Sequence, residues 1–286
     1  MKSNIWILGG AISALAVGLA WGQSASSSAA TTTSTAQGDR IVVPFRDANR
    51  PRTLSVELIN GGITVRGYDG KDAIIETRGD EDRKDNHRSR DVPPGMHRID
   101  NGSGSLDIIE DNNIVHIKGG ISRHVDVVIQ VPMQTALSLK TLNGGGITVE
   151  NVSGEIDADN LNGPITVTNA SGSVLAHSNN GKIIVSLNKI LPDKAMSFST
   201  LNGEIDVSLP ADVKANVRMR TDNGDIFTDF DIKVDSTGKT SVVEDGRDRG
   251  GRYRVHMDRN ISGTINGGGP EMQFRTLNGR IMIHKK

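Results

Sequence analysis

Apolar and polar residues alternate along much of this chain in short units that each begin at a glycine. Five of these glycines recur at a constant spacing of nine residues: Gly145, Gly154, Gly163, Gly172 and Gly181. Two residues after each comes Ile or Val, and two later again comes Val or Ala. A period of two is typical of β-strands. The pattern therefore predicts short strands with an inward face made of Ile147, Val149, Ile156, Ala158, Ile165, Val167, Val174, Ala176, Ile183 and Val185.

The residues before these glycines indicate tight corners between the strands. Asn or Ser precedes most of them, and Ser153 and Ser171 alternate with Asn162 and Asn180. Asn-Gly and Ser-Gly are turn sequences, because glycine reaches positive φ without steric cost. Two units therefore form one rung with two arms. A hairpin meander would not need the same inward residues at the same phase in every unit, whereas stacked coils do.

The expected fold is all-β, a right-handed β-solenoid or β-helix-like stack with rungs of about 18–22 residues. The unit recurs at 59–65, 201–207, 222–226 and 277–283, and the tetrapeptide Thr-Leu-Asn-Gly occurs three times. We therefore expect residues 39–286 to form one continuous domain. Two charged stretches, near 78–95 and 244–254, are expected to leave the domain as solvated loops. The first contains Arg78-Gly79-Asp80, a tripeptide that some cell-adhesion receptors bind, but three common residues in a charged stretch are a weak signal.

The N-terminal sequence predicts export. A short positive start precedes an uncharged apolar run from Ile5 to Trp21, and Ala20-Trp21-Gly22 offers a small-residue cleavage site. Residues 1–22 are therefore interpreted as a secretory signal peptide, with an uncleaved signal anchor as the alternative and the only membrane contact expected. Residues 23–38 are rich in Ser, Ala and Thr and are expected to be a flexible linker. The expected location is the periplasm, the cell surface or the extracellular space.

Composition narrows the classes of function. The chain has 33 basic and 34 acidic residues, so nothing favours a nucleic-acid partner. It has no cysteine, which rules out a disulfide scaffold, a lipid-modified cysteine and a catalytic cysteine. The seven histidines lack paired ligand spacing, and the calcium nonapeptide motif is missing. We expect no cofactor, no metal site and no catalytic residue.

Outward positions of the strands are the candidate binding residues. The period of two directs Thr148, Asp157, Thr166 and Asp206 outward, and the rung length stacks Thr148 with Thr166 on one arm and Asp157 on the other. A polysaccharide-cleaving enzyme on a β-helix would need outward carboxylates that cluster across neighbouring rungs. The outward positions do not form such an acidic cluster.

Four features of the chain carry a resemblance to a known family: the signal segment, the Ser/Thr-rich spacer, the repeated Thr-Leu-Asn-Gly-x-Ile-x-Val units and Val131-Pro132. In these features the chain resembles the bacterial "putative adhesin" domain family. The resemblance covers residues 40–286 and implies a right-handed β-solenoid in the cell envelope. The expected function is a non-enzymatic, adhesin-like envelope protein whose repetitive surface binds a glycan or a protein. The alternatives are a polysaccharide-cleaving β-helix enzyme and an envelope-stress or signalling accessory protein.

Overall fold

The computed structural model describes residues 31–35, 38–47, 49–78, 106–120, 124–234, 241–245, 253–257 and 260–286. Within these ranges the chain is all-β and has no helix, which confirms the predicted class. A nearly closed sheet of 21 strands surrounds the core, and two further strands pair separately. The strands are β1 (Thr31–Thr35), β2 (Gly38–Pro44), β3 (Arg52–Asn60), β4 (Ile63–Tyr68), β5 (Asp72–Arg78), β6 (Leu106–Asp111), β7 (Ile114–Gly119), β8 (Asp126–Pro132), β9 (Thr135–Asn143), β10 (Ile147–Glu150), β11 (Ser153–Asn162), β12 (Ile165–Asn180), β13 (Ile183–Ile190), β14 (Met196–Asn202), β15 (Ile205–Leu209), β16 (Ala215–Asn223), β17 (Ile226–Thr228), β18 (Ile232–Val234), β19 (Ser241–Asp245), β20 (Tyr253–Met257), β21 (Ile261–Ile265), β22 (Glu271–Asn278) and β23 (Ile281–Lys285).

Most strands belong to two parallel ladders, and each rung contributes one strand to each ladder. Ladder one runs β7, β3, β9, β11, the second half of β12, β14, β22 and β16. Ladder two runs β8, β4, β10, the first half of β12, β13, β15, β23 and β17. The nine-residue unit therefore alternates between the ladders, as the alternating corners predicted.

The inward residues stack in register. Ile147 pairs with Ile165 and Ile165 with Ile183, and the valines two residues further on pair in the same way. All ten residues predicted to face inward are buried. The core is mainly Ile, Val, Leu and Ala, and Phe198 and Phe274 stack inside it with ring centroids 5.1 Å apart. In-register stacking was the decisive requirement of the sequence interpretation, and it is confirmed.

The spatial order of the rungs differs from their order in the sequence, and here the simple solenoid interpretation is wrong. The rung of β22 and β23 lies between the rung of β14 and β15 and the rung of β16 and β17. At the other end, the rung of β3 and β4 lies between the rung of β7 and β8 and the rung of β9 and β10. The repeated corner makes any two rungs compatible neighbours, so the repeat itself does not specify which rungs become adjacent.

Antiparallel strands cover both ends of the stack. At one end β5 pairs with β8, β2 with β5, β1 with β2, and β6 with β7. At the other end β21 pairs with β16, and β18 with β21. Antiparallel pairing at these positions occupies backbone groups that a bare edge would offer to other chains. The stack is therefore not uniformly parallel, which is a second departure from the predicted solenoid.

Several predicted segments fall outside the described residues. These are the signal segment 1–22 and nearly all of the loop near 78–95, including Gly79 and Asp80 of the receptor tripeptide. In the tract predicted to be a linker, Thr31–Thr35 form β1, for which β-branched threonine is well suited. The stretch 244–254 is flanked by the hairpin of β19 and β20, while residues 246–252 are not described. The described residues include no helix that could span a membrane.

Candidate binding face

The corners that lead from ladder one to ladder two are held together by a chain of asparagine side chains, which we call the asparagine ladder. In each link the Nδ2 amide of one asparagine donates to the Oδ1 of the asparagine on the neighbouring rung. The donor and acceptor pairs are Asn162 to Asn143 at 3.1 Å, Asn180 to Asn162 at 2.9 Å, Asn202 to Asn180 at 2.8 Å, Asn278 to Asn202 at 2.7 Å and Asn223 to Asn278 at 2.7 Å. The bonds run in one direction along the stack and fix the rung-to-rung register at this corner.

A second row of polar side chains lies two residues before the asparagine ladder and is largely buried. Thr200 Oγ1, for example, donates to the Gly181 carbonyl at 3.0 Å, and Ser178 Oγ donates to the Gly163 carbonyl at 3.1 Å. The equivalent residues of four other rungs, Thr141, Asn160, Thr221 and Thr276, bond in the same way to a glycine carbonyl of a neighbouring rung. Each of these side chains thereby gives a glycine carbonyl of the neighbouring rung a hydrogen-bond partner.

Close approach between rungs explains the glycines of this corner. A Cβ built on Gly203 would overlap the carbonyl oxygen of Gly181, and a Cβ on Gly181 would overlap that of Gly163. Gly163 has a φ of 157°, but Gly181 and Gly203 are not among the glycines with positive φ. The sequence interpretation attributed all of these glycines to positive φ. At Gly181 and Gly203 the reason is instead the short distance between stacked backbones.

Four exposed leucines lie directly beside the asparagine ladder and form what we call the leucine column. Leu142, Leu161, Leu201 and Leu277 have relative exposures of 44%, 40%, 45% and 37%. Each immediately precedes a ladder asparagine, so the four occupy equivalent positions of their rungs. Asn179 occupies the rung between Leu161 and Leu201. At about 4.8 Å per rung, the five positions span about 19 Å.

A shallow pocket of about 230 Å³ opens beside the second half of the leucine column. Its lining includes His177, Ser199, Asp222 and Arg275 together with Leu201 and Leu277. Nδ1 of His177 lies 2.8 Å from Oγ of Ser199. Arg275 is exposed and stacks in register beside Arg220, which pairs with Asp222 at 3.2 Å. Among the ion pairs of the described residues, none involves Arg275. The pocket thus offers apolar surface, hydrogen-bonding groups and an available guanidinium.

The four residues singled out from the sequence do not share one face. Thr148 and Thr166 pair in register on ladder two, and Ile184 separates them from Asp206 in the same column. Asp157 lies on ladder one between Ser138 and Leu175. Asp206 lies 3.6 Å from Nε2 of His284. The predicted arms are therefore correct, but the two aspartates lie on different ladders.

A charged column follows the asparagine ladder on its ladder-two side. The carboxylate of Glu204 accepts a hydrogen bond from Lys182 Nζ at 2.7 Å and is also bonded by the guanidinium of Arg280. These two hydrogen bonds, that from Lys182 first, lower the pKa of Glu204 below its usual range. Glu204 is therefore committed to a structural ion-pair network that joins three rungs.

Sequence reasoning missed the leucine column and the pocket, although a signal for the column was present. Counting in steps of two from the inward Ile156 reaches Asn160, which places Leu161 on the outside. The pocket had no local signal, because Ser199 and Arg275 are far apart in the sequence and meet only when β22 is placed beside β14.

No protein-family profile matches the chain, and no similar curated protein was found. A solved structure with some likeness is that of a "putative cell adhesion protein" from Clostridium sporogenes ATCC 15579. Its TM-score is 0.39 at 12% sequence identity, and the alignment covers 86% of this chain and 99% of the other. A likeness of this size supports no conclusion about the fold or the function of this chain.

Proposed function

We propose that this chain is an exported, non-enzymatic, adhesin-like protein of the cell envelope, which binds a glycan or a protein segment along the leucine column. The observation that carries the proposal is the column itself. Four large apolar side chains stay exposed at equivalent positions of a rigid stack instead of joining the core. Grouped exposed apolar side chains bordered by polar groups are typical of interaction sites.

The repeat favours a partner that is itself extended and lies across the rungs. Each rung presents one small contact, and the asparagine ladder holds these contacts at a fixed spacing. Several weak contacts on one rigid surface raise the overall affinity when their spacing matches the spacing of the groups that the partner presents. The same stacking suggests that the two ladders are connected as a right-handed coil, because connections between parallel strands are right-handed in nearly all proteins.

The pocket supplies the polar contacts that a purely apolar column lacks. Arg275 can donate paired hydrogen bonds to a carboxylate or to neighbouring hydroxyl groups, and the Ser199 and His177 pair adds a hydroxyl and an imidazole. Leu201 and Leu277 border these groups. An apolar edge beside convergent polar groups suits one unit of a sugar chain, and equally one side chain of a peptide.

The geometry does not favour the alternative of a polysaccharide-cleaving enzyme. Most glycosidases hold two carboxyl groups about 5–9.5 Å apart, and the two groups flank the scissile bond. Asp157 and Asp206 lie on different ladders, and Glu204 is engaged by Lys182 and Arg280. A stress-sensing or signalling accessory protein would use the same face for binding, so it differs from the main proposal in its consequence and not in its chemistry.

The test is a glycan array and a pull-down from envelope extracts with the full-length chain, beside turnover assays on polysaccharides. Leu201→Ser and Leu277→Ser should each weaken binding about tenfold or more, because burying a leucine contributes about 1.5 kcal/mol or more. Ile184→Ser is the matched control, since Ile184 is 39% exposed on ladder two. If Ile184→Ser weakened binding as much as Leu201→Ser, the leucine column would not be the binding face. Turnover of a polysaccharide would refute the non-enzymatic assignment.

A further inference from the structure

The asparagine ladder consists of Asn-Gly sequences, which are the sequences most open to a spontaneous reaction of the asparagine side chain. In that reaction the backbone nitrogen of the glycine attacks the Cγ of the preceding asparagine. The new N–Cγ bond closes a five-membered succinimide, and the side-chain amide leaves as ammonia. Water then opens the ring at either carbonyl to give aspartate or isoaspartate. Glycine favours the reaction because no side chain hinders the approach of its nitrogen.

Most corners of the stack protect the nitrogen that would attack. The amide of Gly181 donates to the carbonyl of Asn202 at 3.1 Å, and the amide of Gly203 donates to the carbonyl of Asn278 at 3.0 Å. Gly61, Gly163 and Gly279 donate in the same way to an asparagine carbonyl on a neighbouring rung. The leaving amides are also held, since the Nδ2 groups of Asn162, Asn180, Asn202 and Asn278 all donate along the ladder. Attack at these corners requires both kinds of bond to break.

The corner at Asn143 and Gly144 is built differently. It contains an additional glycine before the next strand, Gly144 has a φ of 83°, and both residues are exposed. None of the hydrogen bonds found among the described residues uses the Gly144 amide or the Nδ2 of Asn143. Asn143 takes part in the ladder through its Oδ1 alone, which accepts from Asn162. A carboxylate in its place would still accept that bond, so the ladder tolerates conversion at this position.

A base lies beside the same glycine. The imidazole of His124 packs against Gly144, so that a methyl group built on the Gly144 Cα would lie 3.3 Å from Nδ1 and Cε1. The other ring nitrogen, Nε2, lies 3.0 Å from Oδ1 of Asp126, although the two atoms are not aligned for a hydrogen bond. Asp126 is itself fixed by the amide of Gly62 at 2.7 Å. In the neutral imidazole, a carboxylate beside Nε2 favours the tautomer with the proton on that nitrogen, which leaves Nδ1 as the acceptor facing Gly144.

We propose that Asn143 is a site of self-modification, at which the Gly144 nitrogen attacks Cγ and His124 Nδ1 accepts the Gly144 amide proton. The proton passes to the side-chain nitrogen of Asn143, which leaves as ammonia, and the products after hydrolysis are isoaspartate and aspartate. The ladder asparagines Asn162, Asn180, Asn202 and Asn278 are protected by their rung-to-rung bonds. Asn223 and Asn266 also precede glycines without such a bond, but their side-chain amides are held by Asn278 and by the carbonyls of Ala211 and Val213. This inference is independent of the proposed binding function.

The experiment incubates the full-length chain at neutral pH, then maps its peptides by mass spectrometry and measures isoaspartate and released ammonia. In the folded protein Asn143 should convert about tenfold faster or more than Asn162, Asn180, Asn202 and Asn278, which serve as controls within the same molecule. In concentrated urea the ratio should fall to about one, because unfolding removes both the protection and the base. Conversion of Asn143 at the same rate as the ladder asparagines in the folded protein would overturn the proposal.

The role of His124 is tested separately with His124→Gln. The variant should slow conversion of Asn143 about tenfold or more in the folded protein, because a positioned base contributes up to roughly 10²–10⁴ in rate. It should leave the rate in urea unchanged. Continued protection of Asn180 in the same sample reports that the stack is intact. An unchanged folded rate with Asn180 still protected would show that His124 is not the base. Asn143→Gln should remove the signal assigned to this position.

Discussion

Phe198 and Phe274 provide a direct test of the rung order, because they are neighbours only if β22 lies beside β14. Both rings are fully buried, their centroids are 5.1 Å apart and their planes are inclined by 22°. If the rungs followed the sequence instead, the inward residue next to Phe198 would be Met219 of β16. In the structure Phe274 pairs with both Phe198 and Met219 and thus separates them by two rungs, about 10 Å.

The perturbation is a pair of double-mutant cycles. Replacing each phenylalanine by leucine removes the stacked ring but keeps much of the apolar volume, so each change should cost less than the about 3–5 kcal/mol of Phe→Ala. Stacked aromatic pairs contribute about 0.5–1.5 kcal/mol beyond the area they bury, and this is the coupling expected between Phe198→Leu and Phe274→Leu. Phe198→Leu and Met219→Leu should be additive within about 0.3–0.5 kcal/mol, as expected of residues without contact.

The assay is equilibrium unfolding in urea, followed by the circular dichroism of the strands, for the unchanged chain, the single variants and both double variants. The order of the stack is supported when only the Phe198 and Phe274 cycle shows coupling. Coupling between Phe198 and Met219, with additivity between Phe198 and Phe274, would refute the insertion of β22. An unchanged dependence of stability on urea concentration should accompany all variants, because none alters how much surface the unfolded chain exposes.

Three further predictions concern the corner. Gly203→Ala should strongly destabilise the stack, because its Cβ overlaps a carbonyl of the neighbouring rung, and the midpoint of urea unfolding measures the loss. Asn202→Ala removes one donated and one accepted ladder bond and should cost about 1–3 kcal/mol by the same assay, whereas a change near zero would mean that water replaces the ladder. For Glu204, a pKa lowered by Lys182 and Arg280 means that its stabilising contribution is complete at neutral pH and is lost as the pH falls below about 4.5, the ordinary value. The stabilities of Glu204→Gln and the unchanged chain should therefore differ at neutral pH and approach each other in acid.

Local physics explains why the rungs could be predicted. The isoleucines at 147, 165 and 183 repeat at one phase because they stack on one another, and this requirement appears in the sequence of each unit. The all-β class, the two arms and the inward positions follow from it. The placement of Thr148 and Asp157 on different ladders follows in the same way, since a strand that changes arm every nine residues separates them.

The order of the rungs could not be predicted, for an equally physical reason. The corner of β22, Thr276-Leu277-Asn278-Gly279, has the same sequence as that of β14, Thr200-Leu201-Asn202-Gly203, apart from its numbering. Both can donate and accept ladder bonds with any neighbour of the same kind. Core contacts that the corner does not encode, such as the phenylalanine stack, distinguish one choice of neighbour from another. The pocket beside Arg275 depends on that choice, so no local pattern announced it.

The insertion of β22 and β23 has a consequence for the order in which the molecule can be completed. Chains are made from the N-terminus, so the strands at 196–209 and 215–228 exist before the segment that separates them, residues 271–285. Until that segment has been synthesised, the rung of β14 and β15 and the rung of β16 and β17 either stay apart or pair directly, which is not the native arrangement. If the export proposed above takes the chain across a membrane unfolded, the stack can close only after residues 271–285 have crossed. The final segment, residues 271–285, would then insert between the two earlier rungs only when translocation is complete.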